Sequence, residues 1–239
     1  MHENNNPKMG LRDGIPICLG YLPVAFAFGL LATTSGLSVL EAVLISALNV
    51  TSAGQLAAVP IIAGGGGFLE LGLAQLIINL RYALMSVSLS QKMGDSVTLS
   101  DRFAIAFVNT DEVFAVASSH KGTVGRKYLY ALIVSPFLGW TVGTLLGAVA
   151  GNILPGIVVS ALGIAIYAMF IAIVIPAARE EKSTALCALV SALLSCIFYF
   201  APVLNRVSSG FVVIICSVAA SALFAVIAPI PDEEVECDA

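Results

Sequence analysis

Charge is what this chain has least of. Asp, Glu, Lys and Arg make up only 11% of its 239 residues, where soluble domains carry about 25%. A chain so poor in charge cannot cover a soluble globule with a polar surface. It also has no basic cluster, so the electrostatic footprint of a nucleic-acid binder is missing. Histidine occurs only at His2 and His120, and tryptophan only at Trp140. There is no His-Glu-x-x-His pair, no Gly-x-Ser-x-Gly elbow and no Gly-x-x-x-x-Gly-Lys loop. An intramembrane enzyme therefore has no evident nucleophile or metal set, and direct ATP coupling has no cradle. Cys18, Cys187, Cys196 and Cys216 lie singly in apolar runs, Cys237 lies in the tail, and no Cys-x-x-Cys occurs. They read as small packing residues, with no metal, cofactor or disulfide implied. Residues 1–14 are polar and lack the basic and apolar regions of a signal peptide, so the first hydrophobic helix is expected to direct its own insertion.

What is there is hydrophobic. Apolar residues make up 59% of the chain, and its mean hydropathy is +0.98. This describes a polytopic, all-α helix bundle in the inner (plasma) membrane. Eight apolar segments can be drawn: Ile15–Thr34, Val39–Ala63, Phe68–Ser90, Phe103–Ser119, Tyr128–Gly151, Ile157–Ala178, Thr184–Ala201 and Phe211–Ala228. Seven are expected to be full spans. The fourth is short, carries Asn109-Thr110-Asp111-Glu112 at its centre, and reads as a short crossing or a re-entrant helix. Residues 15–229 form one transport domain, followed by an acidic cytoplasmic tail at 230–239.

The basic residues leave the topology open. If the fourth segment crosses and the N-terminus is cytoplasmic, Lys8, Arg12, Lys121, Arg126, Lys127, Arg179 and Lys182 are inside. If it does not cross and the N-terminus is outside, Lys92 and Arg102 replace Lys8 and Arg12. The positive-inside rule does not choose between them. Both place Lys121–Lys127, Arg179–Lys182 and the tail in the cytoplasm.

Polar residues inside apolar runs carry the functional signal. Pro16 and Pro23 predict a kinked or interrupted first helix. Ser46, Asn49 and Ser52 share one helical face, and Thr51 and Gln55 another. They read either as interhelical hydrogen bonds or as an unwound stretch near Thr51–Gln55 that offers backbone dipoles to a small polar ligand. Gln75, Asn79 and Ser86 line one stripe of the third segment. Arg81 points the other way, which requires burial of that helix on both sides. A charge at membrane depth costs about 2.5–3.5 kcal/mol on insertion scales. Asp111 and Glu112 are the carboxylates available to offset it, and adjacent helical residues diverge, so one of them, with Asp111 the favoured partner, is expected to meet Arg81. The other is left to a cavity or the cytoplasm. Gly139, Gly143, Gly147 and Gly151 form a small-residue ridge that admits a helix, from this chain or from a small four-helix partner. Ser217, Ser221 and Ala225 make a weaker ridge. A weak internal echo lays residues 28–56 on residues 146–174, which would fit a repeat built from broken helices.

Several of these elements occur together in a known order: Pro23 to Gly29, Ser46 to Gly54-Gln55, Asn79-Leu80-Arg81-Tyr82 followed by Met85-Ser86, and Thr110-Asp111-Glu112. In this the chain resembles the AzlC family, large subunits of branched-chain amino acid exporters. Tyr82 stands where many members have histidine. The resemblance implies export of Leu, Ile, Val and Met driven by the proton motive force, with a small four-helix AzlD-type membrane subunit as partner. The residues themselves place an amino acid substrate at Ser46, Asn49, Thr51, Ser52, Gln55 and Asn79, with Arg81, Asp111 and Glu112 as ion pair or coupling groups. A channel or structural membrane subunit is the alternative reading, and an intramembrane enzyme a more distant one.

Overall fold

The computed structural model describes residues 3–155 and 181–228, with 157, 158, 171, 174–176, 178 and 179 between them. The expected segment Ile157–Ala178, the internal echo that runs into it and the acidic tail with Cys237 lie wholly or largely outside the described residues. The described residues are helical, without a β-strand. Two isolated bridges join Asn4 and Met93 to Val124. The chain divides into two compact units, residues 1–169 and 170–239.

In the first unit α1 is Pro7–Thr34, α2 Val39–Leu48, α3 Ser52–Ala63, α4 Phe68–Lys92, α5 Leu99–Ala106, α6 Asp111–Ser119 and α7 Arg126–Ile153. In the second, α8 is Lys182–Phe200 and α9 Ser209–Ile227. They pack on each other across a turn at Leu204–Arg206. Five of these helices (α1, α4, α7, α8 and α9) are long and apolar enough to cross a membrane.

Glycine decides the central contact. Gly139 of α7 abuts Cys18 of α1, Gly143 abuts Leu22, Gly147 abuts Phe26 and Gly151 abuts Thr33. Gly10, Gly14 and Gly29 of α1 reciprocate against Tyr128, Leu132 and Thr144. Positions rise together along both helices, so α1 and α7 run parallel at backbone contact. The ridge expected to take a helix takes α1 of the same chain. This contact along the whole helix also answers the proline expectation. Pro16 and Pro23 sit inside one continuous helix, which loses their hydrogen bonds but is held along its length by α7.

The remaining directions follow from cross-helix contacts. α4 ends where α1 and α7 begin: the Val124 amide donates to Lys92 O, and Gly125 N to Asn4 O. It therefore runs antiparallel to both. α2 leaves the far end of α1, and α3 leads through Gly64–Gly67 into the far end of α4. The pair thus enters and returns at the same end, as a hairpin broken at Asn49–Thr51. Val39–Ala63 is therefore not the full span expected. A capping box between Ser38 and Glu41 starts its first arm, and the Thr51 hydroxyl caps its second. With the chain broken between them, Ser46 and Ser52 do not share one helical face.

α5 and α6 repeat this device from the other end. Arg102 Nη1 donates to Ser90 O (2.7 Å) at the foot of α4, Asn109 Nδ2 to Ser86 Oγ (3.1 Å) higher up, and α6 then descends until His120 meets Tyr128. The fourth segment is re-entrant. α1–α3 and α4–α6 are each a long helix followed by a broken hairpin, pointing opposite ways, an arrangement found in many transporters. Two apolar cores flank the centre: Tyr128, Leu132, Ile105 and Val113 on the side where α1 begins, and Phe28, Ala42, Val59 and Ala148 on the other.

Candidate functional site

The two hairpin tips lie deep between the long helices. Each ends one arm and starts another at a threonine: Thr51 caps α3 and Thr110 caps α6. Two helix N-termini, with their free amides and positive dipole ends, thus stand at the middle of the unit.

Arg81 of α4 reaches the second tip. Its Nη2 lies 2.8 Å from Asp111 Oδ2, the contact expected from sequence. The same nitrogen lies 3.1 Å from the Tyr82 hydroxyl, and the guanidinium sits 4.8 Å from the Tyr82 ring centroid. Tyr82 in turn lies 3.5 Å from Thr51 Oγ1 of the first tip. Arg81 and Tyr82 therefore bridge the two hairpins. The pair is half-exposed, 53% for Arg81 and 46% for Asp111, so the expected burial of both faces of α4 does not hold. The two hairpins cover its Asn79 side more fully than its Arg81 side.

Glu112 turns to α1 instead of to a cavity or the cytoplasm. It accepts a hydrogen bond from Tyr21, whose hydroxyl also lies 2.6 Å from Thr110 Oγ1. Tyr21 is buried and packs edge-on against Trp140 of α7, with centroids 5.1 Å apart. Sequence reading passed over Tyr21. Its signal was a tyrosine within an apolar helix, where the hydroxyl needs a partner.

The expected substrate residues divide. Asn49 Nδ2 and Asn79 Nδ2 both donate to Gln75 Oε1 (3.0 and 3.1 Å), and Gln75 Nε2 donates to Gly54 O (2.8 Å). Gln75, left out of the expected site, ties α4 to both sides of the first break. Ser46 is drawn away from it: its hydroxyl lies 2.7 Å from Thr144 Oγ1 of α7, both fully buried. This is packing between helices, so Ser46 is committed elsewhere than to a ligand. Thr51 and Ser52 sit at the N-terminus of α3. Gln55, one turn in, is fully buried, and neither its amide nitrogen nor its oxygen has a hydrogen-bond partner. Asn79 Oδ1 and Asn109 Oδ1 are likewise buried and unpartnered. Open amide groups at both breaks, under two helix N-termini, can receive a small ligand bearing both donors and acceptors. No cluster of metal-ligating side chains occurs among the described residues.

Fold and site together define a polytopic membrane protein whose polar interior is made by two opposed broken hairpins. The family model of the AzlC protein matches residues 16–154, which span both hairpins and the Arg81–Asp111 pair. The chain belongs to the AzlC family. It is 32% identical over 202 residues to the inner membrane protein YgaZ of Escherichia coli, covering 81% of this chain and 82% of that one. It is 36% identical over 181 residues to an uncharacterized membrane protein of Archaeoglobus fulgidus, covering 74% and 79% respectively. No solved structure matches the chain.

Proposed function

We propose that this chain is the transport subunit of an exporter of small aliphatic amino acids. The observation that carries the reading is Gln55, a buried amide with both polar atoms unpaired at the first turn of α3. Burying an amide unpaired costs about 1–3 kcal/mol, and a ligand that bonds to it relieves that cost. A zwitterion suits the position. Its carboxylate is drawn to the α3 N-terminus, its ammonium to the open oxygens of Gln55 and Asn79, and its aliphatic side chain to the apolar residues that flank the break. Leu, Ile, Val and Met are the substrates this reading favours.

Export is driven by the proton motive force in this reading, with Arg81, Asp111 and Glu112 as coupling groups and an AzlD-type small subunit as partner. The host is the inner or plasma membrane. Lys8, Arg12, Lys92, Arg102, Lys121, Arg126 and Lys127 all fall at the end where α1 and α7 begin, and no Lys or Arg falls in the opposite turns at 35–38 and 64–67. The positive-inside rule then makes the first end cytoplasmic. The reading assigns no catalytic chemistry to the chain.

The test is efflux from vesicles loaded with leucine, with and without the small subunit, under an imposed pH gradient. Saturable, gradient-dependent efflux lost in Gln55→Leu supports the reading. Half-helix ends meeting at mid-depth also serve channels, and a flux that fails to saturate and ignores the pH gradient would establish that alternative.

A further inference from the structure

A second titratable cluster lies away from the substrate site, at the cytoplasmic end. His120 follows the last residue of α6, and its Nε2 is 2.6 Å from the Tyr128 hydroxyl of α7. Tyr128 donates to Asp13 Oδ2 of α1 at 2.9 Å, and His120 Nε2 lies 3.5 Å from the same oxygen. The rings of His120 and Tyr128 stand edge to face, 4.7 Å apart. Tyr128 is fully buried, while the side chains of His120 and Asp13 keep 15% and 24% of their surface open. Water can thus reach the cluster, but only partly.

The other end of α6 repeats this chemistry. There Glu112 accepts from Tyr21 of α1. A carboxylate thus meets a tyrosine hydroxyl at each end of the short helix, Glu112 with Tyr21 at one and Asp13 with Tyr128 at the other. Glu112 and His120, the residue that caps α6, are eight positions apart, as are Asp13 and Tyr21 on α1, which is about 12 Å along a helix. α1 and α6 run antiparallel, so the two carboxylate–tyrosine pairs lie one above the other at two depths.

We propose that Asp13, Tyr128 and His120 form a proton-binding site at the cytoplasmic mouth that sets the pH dependence of transport. The mechanism rests on the transport reading above; the site itself does not. With His120 Nε2–H donating to Tyr128 and Tyr128 donating to Asp13, every polar atom between them is used. Nδ1, which has no partner among the described residues, is the atom left to take a proton from water. The product is an imidazolium beside the Asp13 carboxylate, and no electrons or other groups move. Histidine is the side chain that ordinarily changes charge between pH 5 and 8. The titratable groups around it are Asp13 from α1 and the neutral Tyr128 from α7, with Asp111 and Glu112 at the far end of its own helix. Arg12, Lys121 and Lys127, their sequence neighbours, are exposed at the same end.

The test uses the whole chain with two readouts. Proton uptake by purified protein is followed with an indicator dye from pH 8 to pH 5. Leucine efflux from phosphatidylethanolamine–phosphatidylglycerol vesicles is measured over the same range. His120→Gln keeps an amide donor for Tyr128 and removes the titration; Asp13→Asn keeps the shape and removes the counter-charge. We expect His120→Gln to take up about one proton fewer per chain and to flatten the pH profile of efflux over the range in which histidine titrates. Asp13→Asn is expected to reduce uptake at a given pH, and it supplies the comparison if His120→Gln does not fold. Uptake equal to wild type in the variant overturns the site. Altered uptake with an unchanged efflux profile overturns its role in transport. If the wild type moves no aliphatic amino acid while uptake still falls in the variant, the proton site stands and the transport reading fails.

Discussion

Asp111 and Glu112 are neighbours in sequence and opposed in space: Asp111 pairs with Arg81 of α4, and Glu112 accepts from Tyr21 of α1. Successive residues on a helix diverge by about 100°, so the first turn of α6 is clamped between two long helices that run in opposite directions. A transporter that rocks one long helix against the other must alter one of these two contacts, which is why both belong among the groups to test.

Arg81→Ala leaves Asp111 facing a helix N-terminus without its cation. Exposed pairs contribute up to about 1 kcal/mol, and breaking a buried one costs about 3–5 kcal/mol. At half-exposure the loss is expected between those limits, read as a drop in thermal unfolding temperature in detergent. Arg81→Ala with Asp111→Asn should recover most of it. If the double variant also recovers efflux, the pair is structural; if it folds and stays inactive, the pair takes part in coupling.

Gly147→Leu is expected to be the harshest single change in α7. A β-carbon there meets the Phe26 carbonyl at overlapping distance, and at Gly143 one meets Leu22 O at 2.8 Å. Overpacking costs about 1–3 kcal/mol where neighbours can give, and backbone at parallel contact gives little. Both variants should lower the unfolding temperature of the chain purified without any partner. Normal stability alone, with a defect only when the small subunit is present, would move the ridge to a subunit interface.

Acid should loosen the second hairpin at its entry. Asp101 is buried against Thr98, Tyr130 and Arg126. The hydrogen bonds from Thr98 lead in holding its carboxylate below the usual range, against an opposing push from burial. A depressed folded-state pKa contributes stability that is present above the unfolded value near 3.9 and is lost as pH falls through the folded value. The protection of the α5 amides from hydrogen exchange, taken relative to the unstructured chain at the same pH, should therefore be high at pH 7 and fall below about pH 4, and Asp101→Ala should abolish that contrast.

Much of this was legible because membrane burial makes polar residues conspicuous. Arg81 and Asp111 could be paired from sequence, since a lone cation in an apolar run has few anions to choose from. The glycine spacing of α7 foretold a close helix. What escaped was direction. Val39–Ala63 has the length and hydropathy of a span, and only the placement of its two ends, at the far end of α1 and the far end of α4, shows that it turns back. Tyr21, Gln75 and Thr144 escaped because a tyrosine, glutamine or threonine in an apolar run declares a need for a partner without naming one. His120 lay outside the apolar runs, where nothing in the sequence points to Asp13.

Gln55→Leu separates the two readings of the first break most sharply. If the amide is held open for a ligand, leucine of similar size removes an unpaired polar group from the interior. The free protein should then gain stability, by up to about 1–3 kcal/mol, the cost of such a group. Substrate binding should fall in the same variant. In the wild type, leucine added at 100 times its dissociation constant should raise stability by about 2.7 kcal/mol, and in Gln55→Leu that increment should shrink or vanish. The measurement is thermal unfolding of both proteins with and without ligand. A variant less stable than wild type in the absence of ligand means that Gln55 serves the helix packing, and the substrate site then moves toward Tyr82 and the second tip.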